Sequence, residues 1–125
     1  MPPLLLVMVG GAIGAGFRYH IGRVALANLG PAFPWGTWIV NLLGGMLMGV
    51  LAGMLARFGT QGEPLRLFLG VGVLGGFTTF SAFSLETFAM LERGQPVMAA
   101  AYAVSSVAGS VVMLVIGLQL TRTLA

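Results

Sequence analysis

A segment in the third apolar run combines residue types that a purely lipid-facing helix does not need. It reads Gly75-Gly-Phe-Thr-Thr-Phe-Ser-Ala-Phe-Ser84. Adjacent glycines are poor helix formers, and threonine and serine hydroxyls can bond nearby carbonyls, so we expect the third helix to be interrupted near its middle. Within a bilayer, freed backbone groups are tolerated only where they are buried in protein or line a cavity, and such breaks often mark ion or substrate sites. The segment is therefore the first candidate functional site.

The second apolar run carries small and polar residues at every fourth position. These are Thr37, Asn41, Gly45, Gly49 and Gly53. A four-residue spacing places them along one slowly drifting helix face, and small residues there allow another helix to approach closely. Asn41 adds a carboxamide in the middle of the run. Two interpretations stay open at this point: a packing seam with one interhelical hydrogen bond, or the polar wall of a transport pathway.

The fourth apolar run has a similar stripe at Tyr102, Ser106 and Ser110. Together, the polar faces of the runs offer neutral hydrogen-bond donors. They are the side chains of Thr37, Asn41, Thr79, Ser81, Ser84, Tyr102, Ser106 and Ser110. Neutral donors without a deep fixed cation suit the transit of a small, strongly hydrated anion, because they replace part of its water shell without trapping it in an ion pair.

Phe80 and Phe83 add a less common type of anion contact. An aromatic ring has a positive edge as well as a negative face, so edge-on rings can contact an anion. Their separation of three residues places them on one face if this part of the run is helical. The alternative is ordinary packing against lipid or neighbouring helices, and the spacing alone favours that alternative.

The composition is that of a membrane protein with a single transmembrane domain over 1–125. The chain has 125 residues, 58% of them hydrophobic and 7% charged, and it has no cysteine. A span needs roughly 20 apolar residues, which leaves room for four spans, at about 4–26, 35–55, 65–91 and 97–120. We expect no removable signal peptide. The six basic residues are all arginines and form no cluster, so nucleic acid is excluded as a partner, and no set of catalytic residues indicates an enzyme.

The arginines are almost evenly divided between the two ends of these spans. Arg57, Arg66 and Arg122 belong to one side, and Arg23 and Arg93 to the other, joined by Arg18 if it reaches that interface. Because the bias of basic residues sets orientation, this tie predicts a weak topological preference. A chain inserted both ways could pair with its inverted copy about a two-fold axis in the membrane plane, as an antiparallel dual-topology homodimer.

Two segments carry a resemblance to a known family. The segment Gly36-Thr-Trp-Ile-Val-Asn-Leu-Leu-Gly44 and the segment Gly75 to Ser84 resemble the two signature motifs of the Fluc (CrcB-like) fluoride channels. The length, the four-span plan and the charge balance also fit, so the resemblance covers the whole chain. It implies a passive fluoride-selective channel that exports fluoride across the inner (cytoplasmic) membrane, confers fluoride resistance, and forms an antiparallel homodimer with two pores.

The resemblance also implies residue roles. Asn41 would be the pore amide, and Phe80 and Phe83 would turn their ring edges to fluoride. The polar lining would consist of Thr37, Ser81, Tyr102, Ser106 and Ser110, together with Thr79 and Ser84. A structural sodium ion at the dimer centre would be held by the backbone carbonyls of Gly75 and Thr78. Ala82 departs from the family, which usually has threonine there, and the resemblance assigns no role to Arg18 or Glu86.

Two other functions compete with this interpretation. A small multidrug-type exporter has a similar length and charge balance, but it couples transport to protons through an acidic residue in its first span, where this chain has arginines. A non-conducting assembly subunit would use its glycines and serines only for packing. Glu86 is an intramembrane acid and therefore a functional candidate: a proton or cation site, or part of a local network with Arg18 or an interfacial water.

Overall fold

Four long apolar helices make up the protein. The computed structural model describes residues 2–123, except the side chain of Thr60, so the outermost ends of the predicted 1–125 domain lie outside the described residues. The helices long and apolar enough to cross a membrane are Pro3–Leu29, Trp35–Leu55, Glu63–Glu92 and Pro96–Thr123, called here the first to fourth spans. The described residues contain no strand. The prediction of an all-α, multi-pass membrane protein with four spans is confirmed.

Short turns connect the spans. Gly30, which follows the last residue of the first span, has a φ of 82°, and the turn between the third and fourth spans contains Gly94, which has a φ of 73°. Residues other than glycine rarely adopt a positive φ, so glycine allows the chain to turn after each helix with little strain. A 3₁₀ turn, Gly59–Gly62, precedes the third span. Each connection within the described residues is therefore short.

The glycine stripe of the second span is a packing seam against the fourth span. A Cβ atom added at Gly45 would lie 2.6 Å from the Ser110 carbonyl oxygen, and one added at Gly49 would collide with the Leu114 carbonyl oxygen. Gly117 of the fourth span packs in the same way against the backbone of the second. Backbones approach this closely only where both surfaces are small, which is the usual basis of helix association in lipid.

A second glycine seam joins the first span to the third. A Cβ atom at Gly10 would lie 2.9 Å from the Val73 nitrogen, and one at Gly72 would lie 3.0 Å from the Gly10 Cα. The two seams make two helix pairs, first with third and second with fourth. Large apolar side chains such as Leu4 and Val104 stay more than two-thirds exposed on the outside, where lipid covers them in a membrane.

The third span consists of two helical segments separated by two extended residues. The first segment covers 63–77 and includes the π-helical stretch Arg66–Leu74; the second is Phe80–Glu92. Between them, Thr78 has φ −86° and ψ 160°, and Thr79 has φ −151° and ψ 122°. The Thr79 hydroxyl caps the second segment by accepting a hydrogen bond from the Ala82 N–H at 3.2 Å. This break lies at the centre of the fold, beside the second span.

Candidate functional site

Asn41 holds the break in the third span. Its Nδ2 atom donates to the Thr79 carbonyl at 3.1 Å, and its Oδ1 atom accepts from the Thr79 N–H at 2.9 Å. The carboxamide therefore pairs with Thr79 as a neighbouring peptide group would, and it satisfies both polar groups of an extended residue that has no helical partners. One N–H of the Asn41 amide is left for another acceptor.

A cavity of about 450 Å³ lies between the second, third and fourth spans at this break. Met48, Leu74 and Leu114 supply part of its largely apolar wall. Eight of the predicted site residues line it: Asn41, Gly75, Thr78, Thr79, Phe80, Phe83, Ser106 and Ser110. The structure thus brings residues of both motifs together with Ser106 and Ser110 of the fourth-span stripe around one cavity.

Ser106 lines this cavity, and its buried hydroxyl group has no partner among the described residues. Its residue is only 4% exposed, and its Oγ atom has no hydrogen-bond partner within the part of the chain that the structure describes. Ser110, one helical turn further on, donates to the Asn41 carbonyl oxygen at 3.3 Å. Buried hydroxyl groups are normally paired, so the Ser106 hydroxyl is a neutral donor without an acceptor in the wall of this cavity.

The two predicted pore rings have different surroundings. The centroids of Phe80 and Phe83 lie 5.6 Å apart with their planes inclined by 44°. Phe83 also contacts the Tyr102 ring at 5.2 Å and packs against the core of Met90, Ala99 and Tyr102. Phe80 is 76% exposed at the mouth of the cavity. Phe83 is thus packed within the chain, whereas most of the Phe80 ring is exposed.

Glu86 forms a separate polar cluster toward one end of the bundle. Its carboxylate accepts hydrogen bonds from the Thr37 hydroxyl at 3.1 Å and from the Tyr102 phenol at 3.0 Å. Thr37 and Glu86 line a second cavity of about 300 Å³, which also contains Arg93. Thr37, which was predicted to line the same pathway as Ser106, therefore lies beside a different cavity, and Tyr102 is buried with its phenol bonded to Glu86.

The remaining predicted residues lie on the exposed side of the second segment. The Ser81 hydroxyl is 3.2 Å from the Thr79 hydroxyl, and Ser84 donates to the Phe80 carbonyl oxygen at 3.0 Å. Neither residue lines the 450 Å³ cavity. Within the described residues, no group of three or more His, Asp or Glu side chains is placed to hold a metal ion.

Comparison with known proteins places the chain in a family. The profile of the family described as "CrcB-like protein, Camphor Resistance (CrcB)" matches residues 5–118. The chain belongs to the CrcB-like family. The resemblance read from the two motifs is thereby confirmed. The matched residues include parts of all four helices, so the two polar clusters described above both lie within the matched region.

Several CrcB-like relatives are alike over nearly their full length. A protein of Sphingopyxis alaskensis is 54% identical over 124 residues, which cover 99% of this chain and 98% of the relative. One of Novosphingobium aromaticivorans is 56% identical over 127 residues and covers all of both chains. A third, from Phenylobacterium zucineum, is 56% identical over 123 residues, or 98% and 97% of the two chains. Each of the three is named "Fluoride-specific ion channel FluC".

Sequence reasoning missed the partners of the two charged residues. Arg18 does not contact Glu86; its Nε atom donates to the Gly76 carbonyl oxygen at 3.1 Å. Glu86 bonds instead to Thr37 and Tyr102. No signal within a single span could have found these pairs, because each joins different spans. The four-residue stripes did locate the polar faces, but they could not tell which cavity each residue lines.

Proposed function

We propose that this CrcB-like chain is a passive, fluoride-selective ion channel that exports fluoride across the cytoplasmic membrane and so gives fluoride resistance. The family and the three relatives support a channel, and the protein is not an enzyme. The observation that carries the proposal is the cavity at the break of the third span, which is lined by neutral donors: the remaining N–H of Asn41 and the Ser106 hydroxyl, which has no partner among the described residues. A neutral donor solvates an anion without holding it as an ion pair.

In this proposal, the ion exchanges part of its water shell for protein groups at the cavity. Ser106 and the remaining N–H of Asn41 donate hydrogen bonds to it, and the edges of Phe80 and Phe83 contact it with their positive rims. The Ser110 hydroxyl lies within the same wall. We propose that Thr37 and Tyr102 act at one entrance of the pathway. Thr37 lines the 300 Å³ cavity, and Tyr102 bonds Glu86, which lines the same cavity. Ser81, Ser84 and Thr79 add hydroxyl groups near the exposed mouth.

We further propose that the channel is an antiparallel dual-topology homodimer. The even division of arginines supports insertion in both orientations, and the exposed Phe80 ring supports a second subunit that closes the cavity. A C-terminal tag tests this directly. If the dimer has dual topology, a membrane-impermeant reagent should label about half of the tags in sealed vesicles, whereas labelling of all or none of them would show a single orientation.

A sodium ion at the dimer centre fits the backbone of the break. The first segment of the third span ends at Phe77, and carbonyls at a helix end lack donors from a following turn. Gly75 and Thr78 lie at this point and line the same cavity. Their carbonyl oxygens are the type of ligand that unwound membrane helices offer to sodium. Replacement of sodium by a large organic cation during purification should lower the thermal stability of the dimer; unchanged stability would oppose the proposal.

The test of the main proposal is ion efflux from liposomes that contain the purified protein. A fluoride electrode follows fluoride release after addition of a potassium ionophore, and chloride release is measured in parallel. We expect rapid fluoride release and no chloride release. Proton-coupled export of organic cations in place of fluoride release would identify the protein as a multidrug-type exporter.

Ring variants then separate pore groups from packing groups. Phe80→Leu and Phe83→Leu should slow fluoride release from folded protein, because leucine lacks a positive ring edge. Phe88→Leu is the matched control: Phe88 lies on the same helical segment, is 57% exposed and does not line the cavity. If Phe80→Leu and Phe83→Leu both conduct like Phe88→Leu, the rings are packing groups.

A further inference from the structure

Arg18 of the first span reaches the third span just before its break. Its Nε atom donates to the Gly76 carbonyl oxygen at 3.1 Å. The two spans are in direct contact here, since a Cβ atom at Gly76 would lie 3.0 Å from the Gly11 Cα and one at Gly14 would lie 2.8 Å from the Phe77 nitrogen. Arg18 follows Gly11 by seven residues, which places it two turns along the same face. Its side chain leans back toward the N-terminal end of its helix and so meets Gly76.

The Gly76 carbonyl needs such a partner because its helical segment ends immediately after it. Phe77 is the last residue of that segment, and Thr78 and Thr79 are extended. The carbonyls of a last helical turn have no donor within the helix, and a membrane interior offers no water to replace one. A guanidinium group at a helix C-terminus supplies the hydrogen bond and also complements the helix dipole.

We propose that Arg18 is a positioning residue that fixes the break in the third span. Asn41 holds Thr79 from the second span, and Arg18 holds Gly76 from the first. The two lie on different sides: Asn41 lines the 450 Å³ cavity, whereas Arg18 lines a separate cavity of about 260 Å³ with Thr79. Arg18 therefore acts on the proposed pathway through the backbone and not by contact with the ion. Its effect on ion flux rests on the proposed function.

Three variants in liposomes test the effect on flux. Arg18→Gln removes the charge and shortens the side chain, Arg18→Lys keeps the charge, and Arg23→Gln is the matched control. Arg23 lies on the same span, is exposed, and bonds only locally, to the Tyr19 hydroxyl at 3.3 Å. Arg18→Gln should slow fluoride release per folded dimer by roughly tenfold or more, the size of one lost hydrogen bond to a charged group. Arg18→Lys should recover part of the rate, and Arg23→Gln should stay within about twofold of the parent.

A second measurement reports on the Gly76 carbonyl itself. The chain contains two Gly-Phe pairs, Gly16-Phe17 and Gly76-Phe77. Labelling glycine carbonyls with ¹³C and phenylalanine amides with ¹⁵N therefore gives two directly bonded pairs in a solid-state NMR spectrum. In Arg18→Gln the Gly76 carbonyl signal should move upfield as its hydrogen bond is lost, and the Gly16 signal serves as the internal reference.

The outcomes separate this inference from the proposed function. An unchanged Gly76 signal in Arg18→Gln overturns the positioning role, whatever the flux. A shifted signal with unchanged fluoride release overturns the link from the break to the pathway. If Arg18→Gln fails to fold, fluoride release and the Gly76 carbonyl signal of Arg18→Lys test the positioning role in its place. If the parent protein releases no fluoride, the proposed function fails, while the Gly76 signal still tests the contact.

Discussion

Replacement of Ser106 by alanine should stabilise the protein. The residue is 4% exposed, and its hydroxyl has no hydrogen-bond partner among the described residues. A buried hydroxyl without a partner costs about 1–3 kcal/mol, so its removal should raise the free energy of unfolding by about 1 kcal/mol after the small loss of contacts. Most buried substitutions destabilise a protein, which makes the expected sign informative.

The same substitution should slow fluoride release. If the Ser106 hydroxyl replaces part of the water shell of the ion, its loss removes a hydrogen bond to a charged group, worth about 1.5–3 kcal/mol. Each 1.4 kcal/mol at the limiting step is roughly a factor of ten in rate, so release should fall roughly tenfold or more. A gain in stability with a loss of flux is the signature of a group retained for function.

Ser105→Ala is the matched control because it should lower stability and leave fluoride release unchanged. Ser105 accepts a hydrogen bond from the Trp38 indole N–H at 3.0 Å and donates to the Tyr102 carbonyl at 3.3 Å. It does not line the 450 Å³ cavity. Its replacement leaves the indole N–H without a partner and should lower the free energy of unfolding by about 1–3 kcal/mol. Fluoride release per folded channel should be unchanged.

Two assays decide the outcome. Tryptophan fluorescence follows unfolding in detergent with increasing denaturant, since both tryptophans lie at the start of the second span. Fluoride efflux is normalised to the amount of folded protein, which is measured by size-exclusion chromatography. The reasoning is refuted if Ser106→Ala is less stable than the parent protein, if it conducts normally, or if Ser105→Ala slows efflux to the same extent.

Three further substitutions test the fold around the site. Asn41→Leu removes both bonds to the Thr79 backbone and should lower the free energy of unfolding by about 2–6 kcal/mol in a denaturant titration; a loss below 1 kcal/mol would contradict the pairing. Gly49→Ala should cost about 1–3 kcal/mol by overpacking against the fourth span, whereas Gly16→Ala, with nothing within 4 Å, should be tolerated; equal melting temperatures would refute this. Arg57→Gln should lower the melting temperature, because its guanidinium donates to a carbonyl of the fourth span, and an unchanged value would show that the bond is not needed.

The fold class and the family were accessible from the sequence. Span number follows from apolar run length, because a bilayer sets a minimum helix length that one chain segment satisfies by itself. The two motifs identified the family, which the profile match confirms. The segment Gly75 to Ser84 predicted an interrupted helix; in the structure Thr78 and Thr79 are extended, and the helix resumes at Phe80. All these properties depend on the residue types within one short segment, so they can be predicted from a single sequence.

The partners of the polar side chains were decided only by the tertiary structure. Tyr102 and Ser106 lie one helical turn apart and share a stripe, yet Tyr102 bonds Glu86, while the Ser106 hydroxyl has no partner in the described part of the chain and Ser106 lines the cavity. Periodicity predicts which face of a helix is polar, but it does not fix how that helix is rotated or how deep it lies beside its neighbours. Those two quantities come from the glycine seams, where the backbones of different spans meet. They determine that Asn41 holds Thr79 and that Arg18 reaches Gly76.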